Sequence, residues 1–159
     1  VVEGLQIRSV TFAGTTVEVE YSGDRSAQIV DFLFGRIASA PGVAAQARLR
    51  LSEDPVSGDL SLSNGGEVCC VDRSAGAVAS WVLHATCRQL ALHRAPATGL
   101  LIHAAAVAWG GRGLLLPGAT GSGKSTLAAF LTHHGFHYMT DELVHVPAKS
   151  ISVEGFTAP

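Results

Sequence analysis

Apolar side chains recur at alternate positions in the first segment of the chain, at Leu5 and Ile7 and again at Val17, Val19 and Tyr21, on either side of the stretch FAGTT. A period of two interrupted by a Gly-containing turn predicts a β-hairpin. The period then lengthens. In DRSAQIVDFLFGRIAS, residues 24–39, Ile29, Phe32, Leu33 and Ile37 fall at helical spacing, with Asp24 or Ser26 placed to cap the N-terminus. Alternation returns in ARLRLSE and GDLSLSNGGEVCCVD, with turn signals at PVSG and NGG. SAGAVASWVLHATCRQLALHR then carries Val78, Trp81, Val82, Ala85, Leu90 and Leu92. It predicts a mostly apolar helix of about five turns, capped by Asp72 or Ser74. APATG ends it and sets a boundary near residue 97.

Beyond that boundary the texture changes. LLIHAAAVAW is a nearly continuous apolar run, GGRG a tight turn and LLLP a second run, which is how strands buried on both faces read. A Gly-rich loop, a helix, the strand FHYMT and the short strand LVHVP follow. The predicted class is α/β in residues 98–159, preceded by a small α+β region in residues 1–97. After the helix, the returning strand is expected to run parallel beside the strand that precedes the loop.

Composition narrows the partners. With 47% hydrophobic and 15% charged residues, the 159-residue chain can bury a core and is not disordered. Its net charge of −2 supplies no basic field for nucleic acid, and no apolar window is long enough to predict a membrane span. The start, VVEGLQIRSV, has neither the features of a signal peptide nor an initiator Met, so the natural N-terminus is expected to lie upstream. Three cysteines, Cys69, Cys70 and Cys87, make no disulfide framework. Buried free thiols in a reducing compartment, the cytoplasm, are the expectation.

The chemistry concentrates in GATGSGKST. Gly118, Gly123, Lys124 and Ser125 fit G-x-x-x-x-G-K-[ST], the Walker A pattern, between an apolar strand and a helix as that pattern requires. Glycines allow successive N–H groups to turn inward, and the following helix N-terminus adds its positive end. Gly118, Ala119, Thr120, Gly121, Ser122, Gly123, Lys124, Ser125 and Thr126 are thus predicted to cradle nucleotide phosphates. Lys124 brings a point charge to the β- and γ-phosphates and Ser125 a hydroxyl to Mg²⁺. Asp141 and Glu142, ending the run FHYMTDE, are expected at a strand end facing the same crevice. A carboxylate there can hold Mg²⁺ through water or take a proton from an attacking hydroxyl. We assign Asp141 to the metal and Glu142 to the proton.

Other candidates read more simply. His103, within LIHAAAV, has the setting of a core histidine. His133 and His134 diverge as helix neighbours while His137 belongs to the next strand, so helix-end charge rather than metal binding explains them. Trp109 is placed either to stack on a base or to pack.

The stretch HAAAVAWGGRGLLLPGATGSGKSTLAAFLTHHGFHYMTDE resembles the catalytic core of HPr kinase/phosphorylase and its relatives. These place a His on the strand before the loop strand, then the Walker A loop, a helix ending in Gly and an acidic pair. The resemblance spans residues 101–146. It implies a P-loop kinase core with a mixed sheet, ATP and Mg²⁺ as cofactors, and catalytic roles for His103, Lys124 and Glu142, the last as base toward a substrate serine. The family usually has two aspartates where this chain has Asp141 and Glu142, and KSE where it has KST. Residues 1–97 do not resemble the family's N-terminal domain. The chain is more similar to the HPr-kinase-like proteins found with peptide-modification systems. Because the family core continues with another carboxylate and basic residues, a further segment is expected, either past Pro159 or elsewhere.

The implied activity is ATP-dependent phosphoryl transfer to a serine hydroxyl of a protein or peptide. A P-loop ATPase, or a non-catalytic ATP-sensing module that regulates a partner, would use the same loop. No lid is evident in the sequence. Exclusion of water is therefore expected from the substrate, from a second subunit of a homo-oligomer or from the further segment.

Overall fold

Alternation at the start of the chain produces a hairpin because one face of each strand can be buried and the other left in water. In the computed structural model, which describes residues 4–37 and 43–156, β1 (Gln6–Phe12) and β2 (Thr15–Ser22) pair antiparallel with Val10 opposite Val17. Helix α1 (Asp24–Phe34) follows. Neither expected residue caps it: Gly23 holds the N-cap position at φ 93° without a side-chain bond, Ser26 is buried, and Asp24 lies in the first turn. There its charge faces the positive end of the helix. The helix stops at Phe34, short of the predicted end, and Ser39 lies outside the described residues.

The chain crosses back to β3 (Ala47–Glu53), which runs parallel to β2, and continues into β4 (Leu60–Asn64) and β5 (Glu67–Asp72). The five strands form one sheet in the order β1-β2-β3-β4-β5. Helix α2 (Ala75–Leu92) is capped by Ser74, whose Oγ accepts the Ala77 N–H at 3.3 Å. Asp72 braces the cap by accepting the Ser74 N–H at 2.7 Å. Register places Val19 beside Leu49 and Leu51 beside Leu62 on one face. Both helices contact strands of this sheet, and Ile29, Val30, Leu33 and Phe34 of α1 and Val78, Val82 and Leu90 of α2 are buried with those strand residues. Phe32, Trp81 and Leu92, expected in the apolar stripes, are instead more than half exposed. The opposite sheet face is polar, with Arg48 paired to Glu18 and Arg50 to Glu20. Exposed pairs of this kind add little to stability. Cys87 is buried as expected, but Cys69 on β5 is exposed.

The chain divides between Arg94 and Ala95 into two compact units. The second unit opens with a 3₁₀ turn (Pro96–Thr98) and the long strand β6 (Gly99–Trp109), followed by β7 (Arg112–Pro117), helix α3 (Lys124–His133), β8 (His137–Thr140), β9 (Leu143–Pro147) and β10 (Glu154–Gly155). Where a mixed sheet was expected, all the pairings of its sheet among the described residues are antiparallel. One edge of β6 pairs with β7. The other edge pairs first with β9, over Gly99–His103, and then with β8, over Ala106–Ala108. The returning strand β8 thus runs parallel to β7 but not beside it, since β6 lies between them. The reason is visible in the packing: Ala105 and Val107 of β6 bury themselves with Ala128, Leu131 and Phe136 of the α3 segment. Small side chains let α3 lie over β6, and the chain leaving it reaches the far edge. On the opposite sheet face Ala104, Ala106 and Val144 pack with Ile102, Leu115, Met139, Val146 and Val153. The buried His145 ties β9 to its surroundings through Nδ1 to Glu154 and Nε2 to the Thr98 carbonyl, both at 3.0 Å.

The fold is mixed α/β, with two sheets and three α-helices in the described residues. None of these helices is long and apolar enough to cross a membrane.

Candidate functional site

The register of β6 brings the candidate residues together. Pro117, immediately before the Gly-rich loop, pairs with Ala104 on one edge of β6. On the other edge Thr140 pairs with Ala106 and Leu143 with His103. Asp141 and Glu142 form the turn between those two pairings, so they lie across β6 from the start of the loop. At the usual interstrand spacing, two strand widths put the two backbones roughly 10 Å apart.

His103 lies beside them at the midpoint of β6, one residue before Ala104. It shares a face of β6 with Ala105 and Val107, which α3 covers, yet it is exposed while they are fully buried. The orientation of α3 explains this. Its C-terminal end abuts the C-terminal end of β6, where Trp109 contacts Phe136 with ring centroids 5.1 Å apart. The helix N-terminus and the loop therefore lie toward His103. Trp109 has its packing role, and five residues of strand separate it from Ala104, opposite the loop's start. That is about 17 Å, too far for a base stacked on it to share phosphates with the loop.

The loop is exposed from Pro117 to Gly123. Gly121 and Gly123 have φ of 79° and 86°, a region that side-chain-bearing residues rarely adopt. At Gly118 a Cβ would lie 2.6 Å from the Ser122 Oγ, so a side chain there would turn that hydroxyl out of its present position. Gly123 is also the N-cap of α3, with no side chain bonded to the first helical N–H groups. Unbonded N–H groups at a helix start, next to glycines that leave the backbone bare, fit an anion. The Lys124 ammonium lies over the loop and donates to the carbonyls of Gly118 and Ala119 at 2.9 and 3.0 Å. Ser125 and Thr126 are exposed in the first turn. Phosphate oxygens would compete with those two carbonyls for the ammonium.

The acidic turn is held by two residues of β8 that sequence reasoning missed. The Tyr138 hydroxyl donates to Asp141 Oδ1 at 2.8 Å. Burial, that hydrogen bond and the negative charges of Asp141 and Glu142 all push the phenol well above its ordinary range, so it keeps its proton. Buried Thr140 donates to the Phe156 carbonyl at 2.6 Å and accepts the Glu142 N–H at 3.2 Å. Glu142 Oε2 is itself buried. A phenol at an apolar boundary seeks an acceptor for its tip, but the spacing of tyrosine and acid along the chain does not name which acceptor it meets.

His133 and His134 do not diverge as expected but meet edge-on with ring centroids 5.5 Å apart, His134 also stacks on Phe130 at 4.1 Å, and His137 lies apart on β8. Among the described residues, no three His, Cys, Asp or Glu side chains gather as a metal cage. A magnesium ion at a phosphate loop needs none, since it keeps water and phosphate ligands and takes only one or two from protein. Ser125 and Asp141 are of the right chemistry, hard oxygen donors, one at the helix start and one across β6. Comparison with protein-family models, with curated proteins and with solved structures finds no match for this chain.

Proposed function

We propose that the protein is an ATP-dependent kinase of the HPr-kinase-like type, with a P-loop core that transfers the γ-phosphoryl group to a serine hydroxyl of a protein or peptide. The observation that carries this reading is the register of β6, which brings the loop's start, His103 and the Asp141–Glu142 turn beside one another at the middle of that strand. A loop alone would serve binding. A loop with an imidazole and a carboxylate pair across a single strand also serves transfer.

Phosphoryl transfer asks mainly for positioning and for neutralisation of charge. The loop N–H groups and the helix start hold the β-phosphate, and Lys124 leaves its two carbonyls for the β- and γ-phosphate oxygens. Ser125 and Asp141 would hold Mg²⁺, which when bound neutralises charge on the phosphates. Glu142 accepts the proton of the serine hydroxyl as the new O–P bond forms. The bond from the γ-phosphorus to the bridging oxygen breaks, and ADP leaves with that oxygen. His103 offers its imidazole to the transferring phosphoryl group. The cytoplasm, with its ATP, is the compartment this reading implies.

The test is incubation with γ-labelled ATP, Mg²⁺ and serine-containing peptides, with peptides carrying alanine in place of serine as control. Label on serine, absent with the alanine peptides and with Lys124→Ala, is expected. Release of inorganic phosphate without transfer would support an ATPase, and binding without turnover a sensing module. Either would overturn the kinase reading.

A further inference from the structure

We infer that Tyr138 is a positioning residue, which fixes the Asp141 carboxylate so that the metal accompanying the nucleotide is held tightly. The inference rests on the nucleotide-binding reading above and adds to it a residue outside the phosphate loop and the acidic pair.

The geometry is local and specific. Asp141 sits in a turn between two short strands, where its side chain has several rotamers open to it. The Tyr138 hydroxyl meets it at 2.8 Å through Oδ1 alone. A neutral donor to a carboxylate makes a stronger bond than a neutral pair does. It also removes rotamer freedom that a metal would otherwise have to remove on binding. Tyr138 can do this because its own position is set: it lies in β8, its backbone in register with Val107 of β6. That register ties the phenol to the same strand that carries His103 and pairs with the loop strand β7. Thr140, two residues on, fixes the backbone of the same turn through Phe156. The two β8 residues thus divide the support, Thr140 holding the turn and Tyr138 the carboxylate within it.

Partners of metal-ligating side chains typically change metal affinity by about 10- to 100-fold when removed. Tyr138→Phe deletes the hydroxyl and keeps the ring, so packing is preserved. The measurement is the dissociation constant of ATP by calorimetry, with Mg²⁺ and again in EDTA, for wild type, Tyr138→Phe, Asp141→Asn and the double variant. Thermal melts accompany each to establish folding. The expected result is a weakening of Mg-ATP binding by roughly tenfold in Tyr138→Phe, with metal-free ATP affinity unchanged. Asp141→Asn should weaken Mg-ATP binding too, and adding Tyr138→Phe to it should do nothing further.

Mg-ATP affinity in Tyr138→Phe within twofold of wild type overturns the inference. So does an equal weakening with and without Mg²⁺, which marks a merely structural residue. A Tyr138→Phe effect that persists in the Asp141→Asn background, or occurs while Asp141→Asn has none, also overturns it. Wild type that binds ATP in neither condition refutes the nucleotide reading itself, and the inference with it.

Discussion

Asp141 and Glu142 are adjacent, yet their surroundings differ. Asp141 carries a phenol on one oxygen, whereas Glu142 has its backbone fixed to Thr140 and one carboxylate oxygen buried. Two such carboxylates are suited to different tasks. Asp141→Asn should raise the Mg²⁺ concentration needed for half-maximal activity. Glu142→Gln should lower kcat by about 10²-fold or more with Mg-ATP binding kept, the loss typical of a general base. Titration of activity against Mg²⁺ in both variants checks this; identical profiles would remove the division of labour. At this scale the Gly-rich loop between a strand and a helix was legible in the sequence, because glycines at positive φ and the helix start after them leave a short local pattern. The Tyr138–Asp141 bond was not, because a side-chain hydrogen bond depends on direction, which spacing alone does not supply. His103 read as a core residue from its apolar neighbours, but it is exposed where α3 begins.

Elements were legible wherever one period dominated. Alternation marked β1 through β4, and Ser74 was one of the two residues foreseen as the cap of α2. The uninterrupted run LLIHAAAV is the buried strand that its pattern predicts, and what differed was the strand after the helix, expected parallel beside the loop strand and found across β6 from it. The run became β6, antiparallel to three partners, because its alanines admit a helix on one face and a packed layer on the other. The turn after β3 offers a prediction with a definite sign. Asp54 accepts the N–H groups of Val56 and Ser57, both at 2.8 Å. These bonds, with the Ser57 bond the larger influence, hold its carboxyl below the ordinary value of 3.8. A depressed folded pKa contributes stability above the unfolded value, and that contribution is lost as pH falls through the folded value. Acidification below about pH 4 should therefore loosen this turn, and the pH dependence of unfolding below that point should shrink in Asp54→Asn. A dependence unchanged in the variant would assign it to other carboxylates.

The whole molecule is two units, each with its own buried cluster, and only the second carries the loop. Leu51 and the loop fall in different units. Leu51 is fully buried beneath the helices of the first unit, so Leu51→Ala should cost that unit about 2–5 kcal/mol. Mg-ATP at a hundredfold excess over its dissociation constant should stabilise the second unit by about 2.7 kcal/mol. Differential scanning calorimetry of wild type and Leu51→Ala, with and without Mg-ATP, would separate the two effects. The variant should keep the ATP-induced increase, and its loss would show that the first unit's core is needed for binding at the loop.

The claim on which everything else depends is that residues 118–126 hold the phosphates of a nucleotide. Titration calorimetry of Mg-ATP into wild type and Lys124→Ala tests it directly. In wild type the Lys124 ammonium already lies over the loop, 2.9 and 3.0 Å from the carbonyls of Gly118 and Ala119. Removing a charge that binds phosphate oxygens should cost about 2 kcal/mol, close to a 30-fold loss of affinity, in a variant that melts like wild type. Saturable one-to-one binding in wild type and that loss in Lys124→Ala are the predicted result. Equal affinities in the two proteins, or no binding in wild type, would contradict it.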